Sequence, residues 1–257
     1  MDNETITSLY TTDEYITKNP DLHEHDSAWK IKKLLPFVDE FIKQFRANHV
    51  TLLDVGGGSG IILSELSKYI VGENAKSVRK YCLDLSPGML EIQKSNNPDV
   101  HKIIQANISD SGISDGEVDL TLMIDVLEHV EDPQRVLREI ARISDFALFK
   151  VPLENTFYYR LMDILTKGNF RKRIIKKIGH INVYDANSLT RLLERDCGEI
   201  IKKDYAGVYE YLFRDKDESK FSRAFNFLGY LVYKVCPRIA GKIFNDYLIV
   251  LVKCRHS

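Results

Sequence analysis

A chain of 257 residues with 44% hydrophobic and 28% charged positions can bury a sizeable core, and one α/β domain with insertions is the default expectation. Four scattered cysteines (Cys82, Cys197, Cys236, Cys254) argue against a zinc ribbon or a disulfide framework, and no stretch approaches the about 18 apolar residues a membrane span needs, so a soluble, cytoplasmic protein is expected. The net charge of −1 conceals an asymmetry: residues 1–150 carry 16 Lys/Arg against 25 Asp/Glu, and residues 151–257 carry 20 against 12, which points the C-terminal part at an anionic substrate or surface, or at bulk water.

Residues 1–25 are polar and acidic. The cluster His23-Glu24-His25-Asp26 has metal-ligating side chains, but neighbours in an extended segment point to opposite faces, so no metal is expected there. Asp26 or Ser27 can cap a helix in which Ile31, Leu34, Leu35, Val38, Phe41, Ile42 and Phe45 recur at helical spacing. Pro36 should kink or restart that helix, and Trp29 should pack against it.

Val50-Thr51-Leu52-Leu53-Asp54-Val55 is a strand that ends in an acid and runs into Gly56-Gly57-Gly58-Ser59-Gly60, with a helix from about Ser59 to Ile70. The glycines permit positive φ and close approach of a ligand to the main chain. A dinucleotide loop would need Gly or Ala where Ile61 stands, and a carboxylate at the strand end repels phosphate while attracting a cation. The ligand expected at Asp54, Gly56, Gly57, Gly58 and Gly60 is therefore cationic and free of phosphate.

The next strand, Ser77–Asp84, also ends in an acid, and a carboxylate at Asp84 can accept hydrogen bonds from both hydroxyls of a ribose. Leu85 follows, and Ser86-Pro87 opens a helix that carries Met89. Val100–Gln105 is a third strand, with Ala106-Asn107-Ile108 at its end. Glu117–Asp125 is a near-continuous apolar strand of the kind a two-faced parallel sheet requires. After Asp125-Val126-Leu127-Glu128-His129-Val130-Glu131-Asp132, a helix runs from Pro133 to about Ile143, and Phe146–Pro152 is the fifth strand.

Two specific stretches stand in order along residues 48–155, and a third lies beyond them. Asp54 through Gly60 resembles motif I of the class I S-adenosylmethionine-dependent methyltransferases, Asp125 through Pro133 resembles the segment after the fourth strand of their small-molecule members, and Gly179-His180 through Tyr184 resembles a run found in many glycan and small-molecule members. The resemblance implies a Rossmann-like, doubly wound, seven-stranded sheet whose last strand, Tyr247–Val252, lies antiparallel between the fifth and sixth. It implies S-adenosylmethionine as cofactor, with Asp54 and the glycines at the methionine end, Asp84 at the ribose, and Leu85, Met89, Asn107, Ile108 and Asp125 completing the site. Relatives often place Asp where Asn107 stands; its carbonyl could accept from the adenine amino group instead. An Asn/Asp-Pro-Pro-aromatic run, which marks methylation of adenine or glutamine nitrogen, is absent after Ile124, so that subclass is disfavoured.

Within a single domain spanning 1–257, residues 1–48 form a cap, and residues 153–181 and 215–242 are lid insertions that build the acceptor pocket. Between them stand a helix from Asn187 to about Asp196 and a sixth strand, about Glu199 to Tyr211. A methyl acceptor with a hydroxyl needs a base; His129 and His180, both after carboxyl ends of strands, are the candidates, with Glu128 or Asp125 to orient either ring. The basic run Arg171 to Lys177 could meet a diphosphate or a nucleic-acid backbone, or face solvent. The aromatic helix Phe221 to Val235, with Lys220, Arg223, Lys234 and Arg238 at its rim, suits a packed lid, a dimer contact or a membrane surface. The expected activity is O-methylation of a small-molecule or carbohydrate-type, possibly anionic acceptor. An RNA or lipid methyltransferase, or a non-catalytic cofactor-binding regulator, are the alternatives, and nucleic acid is not the expected partner.

Overall fold

The computed structural model describes residues 26–73, 77–215 and 219–256. Among them the His23-Glu24-His25-Asp26 cluster is represented by Asp26 alone; its first three members lie outside the described residues. In chain order the elements are α1 (Ser27–Gln44), β1 (His49–Val55), α2 (Ile61–Glu73), β2 (Ser77–Asp84), α3 (Pro87–Asn96), β3 (Lys102–Gln105) and β4 (Val118–Ile124). They continue with α4 (Pro133–Ile143), β5 (Ser144–Leu153), α5 (Phe157–Leu165), α6 (Asn169–Ile178), α7 (Ala186–Asp196) and β6 (Gly198–Tyr205). The last are α8 (Tyr209–Leu212), α9 (Lys220–Val235), α10 (Pro237–Ile243) and β7 (Asp246–Cys254).

The strands form one seven-stranded sheet in the order β3-β2-β1-β4-β5-β7-β6. The first five positions are parallel, and β7 runs antiparallel to both β5 and β6, as the resemblance implied. Period-two alternation along each strand feeds two cores. Leu53, Met123, Phe149 and Val250 point to the layer of α4 and α7; Leu52, Leu122, Leu148 and Leu251 point to the layer of α1 and α2.

Local chemistry sets the helix starts. Ser86 accepts a hydrogen bond from the Met89 N–H and Pro87 occupies the first turn of α3. Asp132 and Pro133 do the same for α4, and Asp185 with Ser188 makes a capping box for α7.

Two expectations need correction. Pro36 does not restart α1, which runs unbroken from Ser27 to Gln44; the proline lies on the exposed side, while Leu34, Phe37, Val38 and Phe41 anchor the opposite face. The sixth strand stops at Tyr205 rather than Tyr211. Gly207 takes φ of +67°, and Asp246 Oδ1 accepts from the Gly207 and Val208 N–H groups, which turns the chain into α8.

Both segments expected to form lids are helical among the described residues. α5 and α6 follow β5, and α9 and α10 precede β7; they meet where the Tyr158 ring lies 4.8 Å from that of Phe225 and where Asn245 donates to the Tyr159 hydroxyl at 3.2 Å. Trp29 packs beside Tyr211 and Tyr247, joining α1 to the small core of the second insertion.

Candidate active site

The carboxyl ends of β1, β2, β3 and β4 lie side by side, and each carries one of the residues picked out in the sequence. Asp54 is the next-to-last residue of β1 and is buried, and its Oδ2 has no hydrogen-bond partner among the described residues. Burial, reinforced by the nearby Asp84 carboxylate, pushes Asp54 up to about 7. A Cβ on Gly57 would collide with that carboxylate, so any side chain there would have to displace it. Gly56, Gly58 and Gly60 take φ of +62°, +56° and +76°. Asn97 Nδ2 donates to the Gly60 carbonyl at 3.0 Å and Asn96 Nδ2 to that of Ser59 at 2.8 Å, which pins the loop to the end of α3.

Asp84 ends β2 with Oδ1 accepting from the Ser86 N–H and Oδ2 from Gln93 Nε2, so the carboxylate is held in one orientation. Burial raises its pKa. Leu85 is half-buried after it, and Met89 is buried on α3. Asn107 is exposed after β3; its side-chain oxygen accepts from the Ser109 N–H and caps the turn that buries Ile108.

Asp125, just beyond β4, adopts φ of +58°, uncommon for a residue with a side chain and a form of strain that collects at functional sites. The surroundings that hold it were not visible in the sequence. Its Oδ1 pairs with Lys150 Nζ from β5 at 2.5 Å, and its Oδ2 with Lys30 Nζ from α1 at 3.1 Å. Burial alone would raise the Asp125 carboxyl, but the two ammonium groups outweigh it and hold it down at about 2. Lys150 is wholly buried, 3.4 Å above the Tyr247 ring, and burial lowers its pKa. The sequence did contain a signal: a lysine inside an apolar strand needs a partner. Lys30, Asp54, Gly57, Ser59 and Asp125 line one cleft beneath α1.

A second cluster stands beyond Asp125. Glu128 is buried, and the Ile181 and Asn182 N–H groups both donate to its main-chain carbonyl at 3.0 Å, stitching the loop after β4 to the segment after α6. His129 and His180 are thereby brought together, with ring centroids 4.8 Å apart and edge to face. His129 Nδ1 lies 3.1 Å from the Gly179 carbonyl; burial, then the His180 ring, lowers its pKa to about 4, so it is neutral at pH 7. His180 Nδ1 lies 2.7 Å from Oε1 of Glu154, a buried carboxylate just past β5 whose Oε2 is 3.3 Å from Arg171 Nη1. The residue that orients His180 is thus Glu154, which the sequence did not single out. Asp125 is engaged with the lysines, and Glu128 Oε1 stands 3.9 Å from His180 Nε2, beyond hydrogen-bond range. Burial, then the neighbouring Asp125, raises Glu128 well above the usual carboxylate range. Glu128, His129 and His180 offer ligand atoms within 4.8 Å of one another, close enough to hold a metal ion or a polar group of a substrate.

The cleft under α1 therefore offers a buried, unpaired carboxylate oxygen and a main chain stripped of Cβ atoms, a donor set that fits a cationic ligand without phosphate. Residues 53–145 match the methyltransferase domain family. That match, over part of the chain, supports a class I S-adenosylmethionine-dependent methyltransferase domain. The chain is 29% identical over 117 residues to a ubiquinone biosynthesis O-methyltransferase of Hydrogenovibrio crunogenus, a match that spans 44% of this chain and 46% of that relative. Its fold is similar to that of geranyl diphosphate C-methyltransferase from Streptomyces coelicolor A3(2), solved with Mg2+, geranyl diphosphate and S-adenosyl-L-homocysteine. The TM-score is 0.56 at 12% identity, covering 84% of this chain and 79% of that one. It is also similar to the [4+2]-cyclase SpnF, with a TM-score of 0.52 at 13% identity, 86% of this chain and 81% of that one.

Proposed function

We propose that this chain transfers the methyl group of S-adenosylmethionine to an oxygen of a small-molecule or carbohydrate-type acceptor, with His180 as general base. The observation that carries this reading is the His180–Glu154 pair at 2.7 Å beside the loop that follows β4. A neighbour of this fold is a cyclase, so the fold alone does not carry methyl transfer; the site does. The O-methyltransferase relative supports oxygen as the acceptor atom.

S-adenosylmethionine, when bound, supplies an already activated methyl group. Asp54 and the glycine loop would hold its methionine end, Asp84 its ribose, and Leu85, Met89, Asn107 and Ile108 its base, beneath α1. Lys30 and Asp125 close the same cleft from α1 and β4.

The remaining work belongs to the chain. Glu154 accepts from Nδ1–H of His180, which leaves the lone pair on Nε2 to take a hydroxyl proton. A hydroxyl oxygen seated to the side of His180 Nε2 and Glu128 Oε1, which stand 3.9 Å apart, would lie within hydrogen-bond reach of both. His129, neutral and held on Gly179, walls the other side. The helices within residues 153–181 and 219–242 would enclose the acceptor and exclude water.

Incubation with methyl-labelled cofactor and pools of nucleotide sugars, glycans, phenols, lipids and RNA tests the reading. Label in a sugar, glycan or phenol supports it. Label confined to RNA favours the nucleic-acid alternative, and tight cofactor binding without any labelled product favours a binding protein.

A further inference from the structure

Helix α9 carries an apolar row that nothing among the described residues covers. Phe221, Ala224, Leu228, Leu231 and Val235 are spaced three, four, three and four residues apart, so they form one stripe along the helix. All are exposed: Phe221 83%, Leu228 53%, Leu231 47% and Val235 87%, with Ala224 in the same class. The opposite face is the one that packs inward, through Phe225, Gly229, Val232 and Tyr233 against Tyr158, Tyr209 and Phe244. The apolar breadth of this helix therefore serves two surfaces, one of them internal. The same feature recurs on α5, which meets α9 through Tyr158 and Phe225 and exposes Phe157, Leu161, Ile164 (74%) and Leu165 (68%).

Charge decides what meets this surface. Residues 220–245 contain Lys220, Arg223, Lys234, Arg238 and Lys242 and no acid at all. On the first insertion, α6 adds exposed Lys172, Arg173 and Lys176, again with no acid in the helix. A three-four apolar row is also the seam of a coiled coil, and a second copy would fit it sterically. Pairing two copies, however, would place like charges along both flanks with no carboxylate on either helix to answer them. Exposed aromatic and aliphatic side chains rimmed by Lys and Arg are the composition of a helix that lies in the plane of a charged bilayer. No helix among the described residues is long and apolar enough to cross a membrane.

We propose that α9, with α5 beside it, docks the chain on the surface of an anionic lipid bilayer. The stripe Phe221–Val235 enters the headgroup region, and the lysines and arginines at its rim meet the lipid phosphates. The proposal does not rest on methyl transfer: a chain with no catalytic activity would still bind.

Flotation of the full chain with vesicles tests it. Phosphatidylcholine vesicles containing phosphatidylglycerol should carry the chain upward, vesicles of phosphatidylcholine alone should carry it at least roughly ten-fold less, and raising salt from about 0.1 M to about 0.5 M should weaken the capture. The double variant Leu228→Asp, Leu231→Asp should lower the apparent affinity by roughly ten-fold or more while leaving the far-ultraviolet circular dichroism and the cofactor affinity unchanged. If that variant is misfolded, Lys234→Glu with Lys220→Glu, which touches only the rim, should reduce capture by a similar factor. Failure of the wild-type chain to bind phosphatidylglycerol vesicles overturns the proposal. So does a wild-type dimer in light scattering that the Asp variant disperses, because the stripe would then belong to a second copy.

Discussion

His180 Nδ1 sits 2.7 Å from Glu154 Oε1 although the two residues are 26 apart in the chain, one just past β5 and the other just past α6. Arg171 closes the arrangement from α6, 3.3 Å from the other Glu154 oxygen and 3.4 Å from the His180 carbonyl. The histidine is thereby held by its tautomer-setting nitrogen, with the other nitrogen directed at the gap beside Glu128.

Removing the base should slow chemistry without loosening the donor. His180→Ala is expected to lower kcat by about 10²–10⁴-fold, and Glu154→Gln by a smaller factor because the ring keeps a weaker acceptor. The dissociation constant for S-adenosylmethionine, read by calorimetry, should stay within about two-fold in both. Unchanged turnover in His180→Ala would remove that residue as base.

Asp54 makes a pH prediction. Its folded pKa of about 7 lies above the ordinary 3.8, so between those values the folded chain binds more protons than the unfolded one. Stability must then fall as pH rises from about 4 to about 7, by about 4 kcal/mol for this group. Asp246, also raised to about 7 by burial, adds a fall of the same sign. Asp54→Asn should remove the Asp54 share of the pH dependence in chemical denaturation, leaving the shares of Asp246 and of the other carboxyls raised by burial, Asp84 and Glu128. A cation bound beside Asp54 favours its ionised form, so wild-type affinity for S-adenosylmethionine should rise between pH 6 and pH 8 with release of a proton, and Asp54→Asn should lose that release.

The pair of buried Lys150 with half-buried Asp125 predicts a loss of stability that a second change moderates. Lys150→Met leaves Asp125 with Lys30 alone and should cost roughly 3–5 kcal/mol in thermal or chemical denaturation. Adding Asp125→Asn should recover part of it, since the unanswered charge is then gone. An additive double variant would show that the two residues do not act as a pair.

Two glycines separate local propensity from the site. Gly72, inside α2, has open space where a Cβ would go, so Gly72→Ala should stabilise by about 0.5–1 kcal/mol and leave cofactor binding unchanged. Gly57→Ala must displace the Asp54 carboxylate and should weaken S-adenosylmethionine binding by an order of magnitude or more.

The sheet was legible wherever its signals were local. β2 spans Ser77–Asp84 and α4 spans Pro133–Ile143, because an acid, a cap and an N-terminal proline mark those boundaries in a few residues. β6 was overextended because the Gly207 turn depends on Asp246, nearly forty residues away. The antiparallel placement of β7 came from family resemblance, since Asp246–Cys254 is as apolar as any parallel strand. At the site, the strand-end acids and the glycine loop could be read in order, and both histidines were named. What could not be read was pairing: Glu154 looks like any loop acid until α5 and α6 fold back and bring His180 onto it. Lys30 likewise meets Asp125 only once α1 closes over β4.

The most direct measurement is the carbon-13 spectrum of the product formed from methyl-¹³C-labelled S-adenosylmethionine and the acceptor pools. A labelled methyl carbon bonded to oxygen, formed by the wild-type chain and lost in His180→Ala, is the expected result. A labelled methyl on nitrogen or carbon, or an oxygen-bound methyl formed equally well without His180, would contradict it.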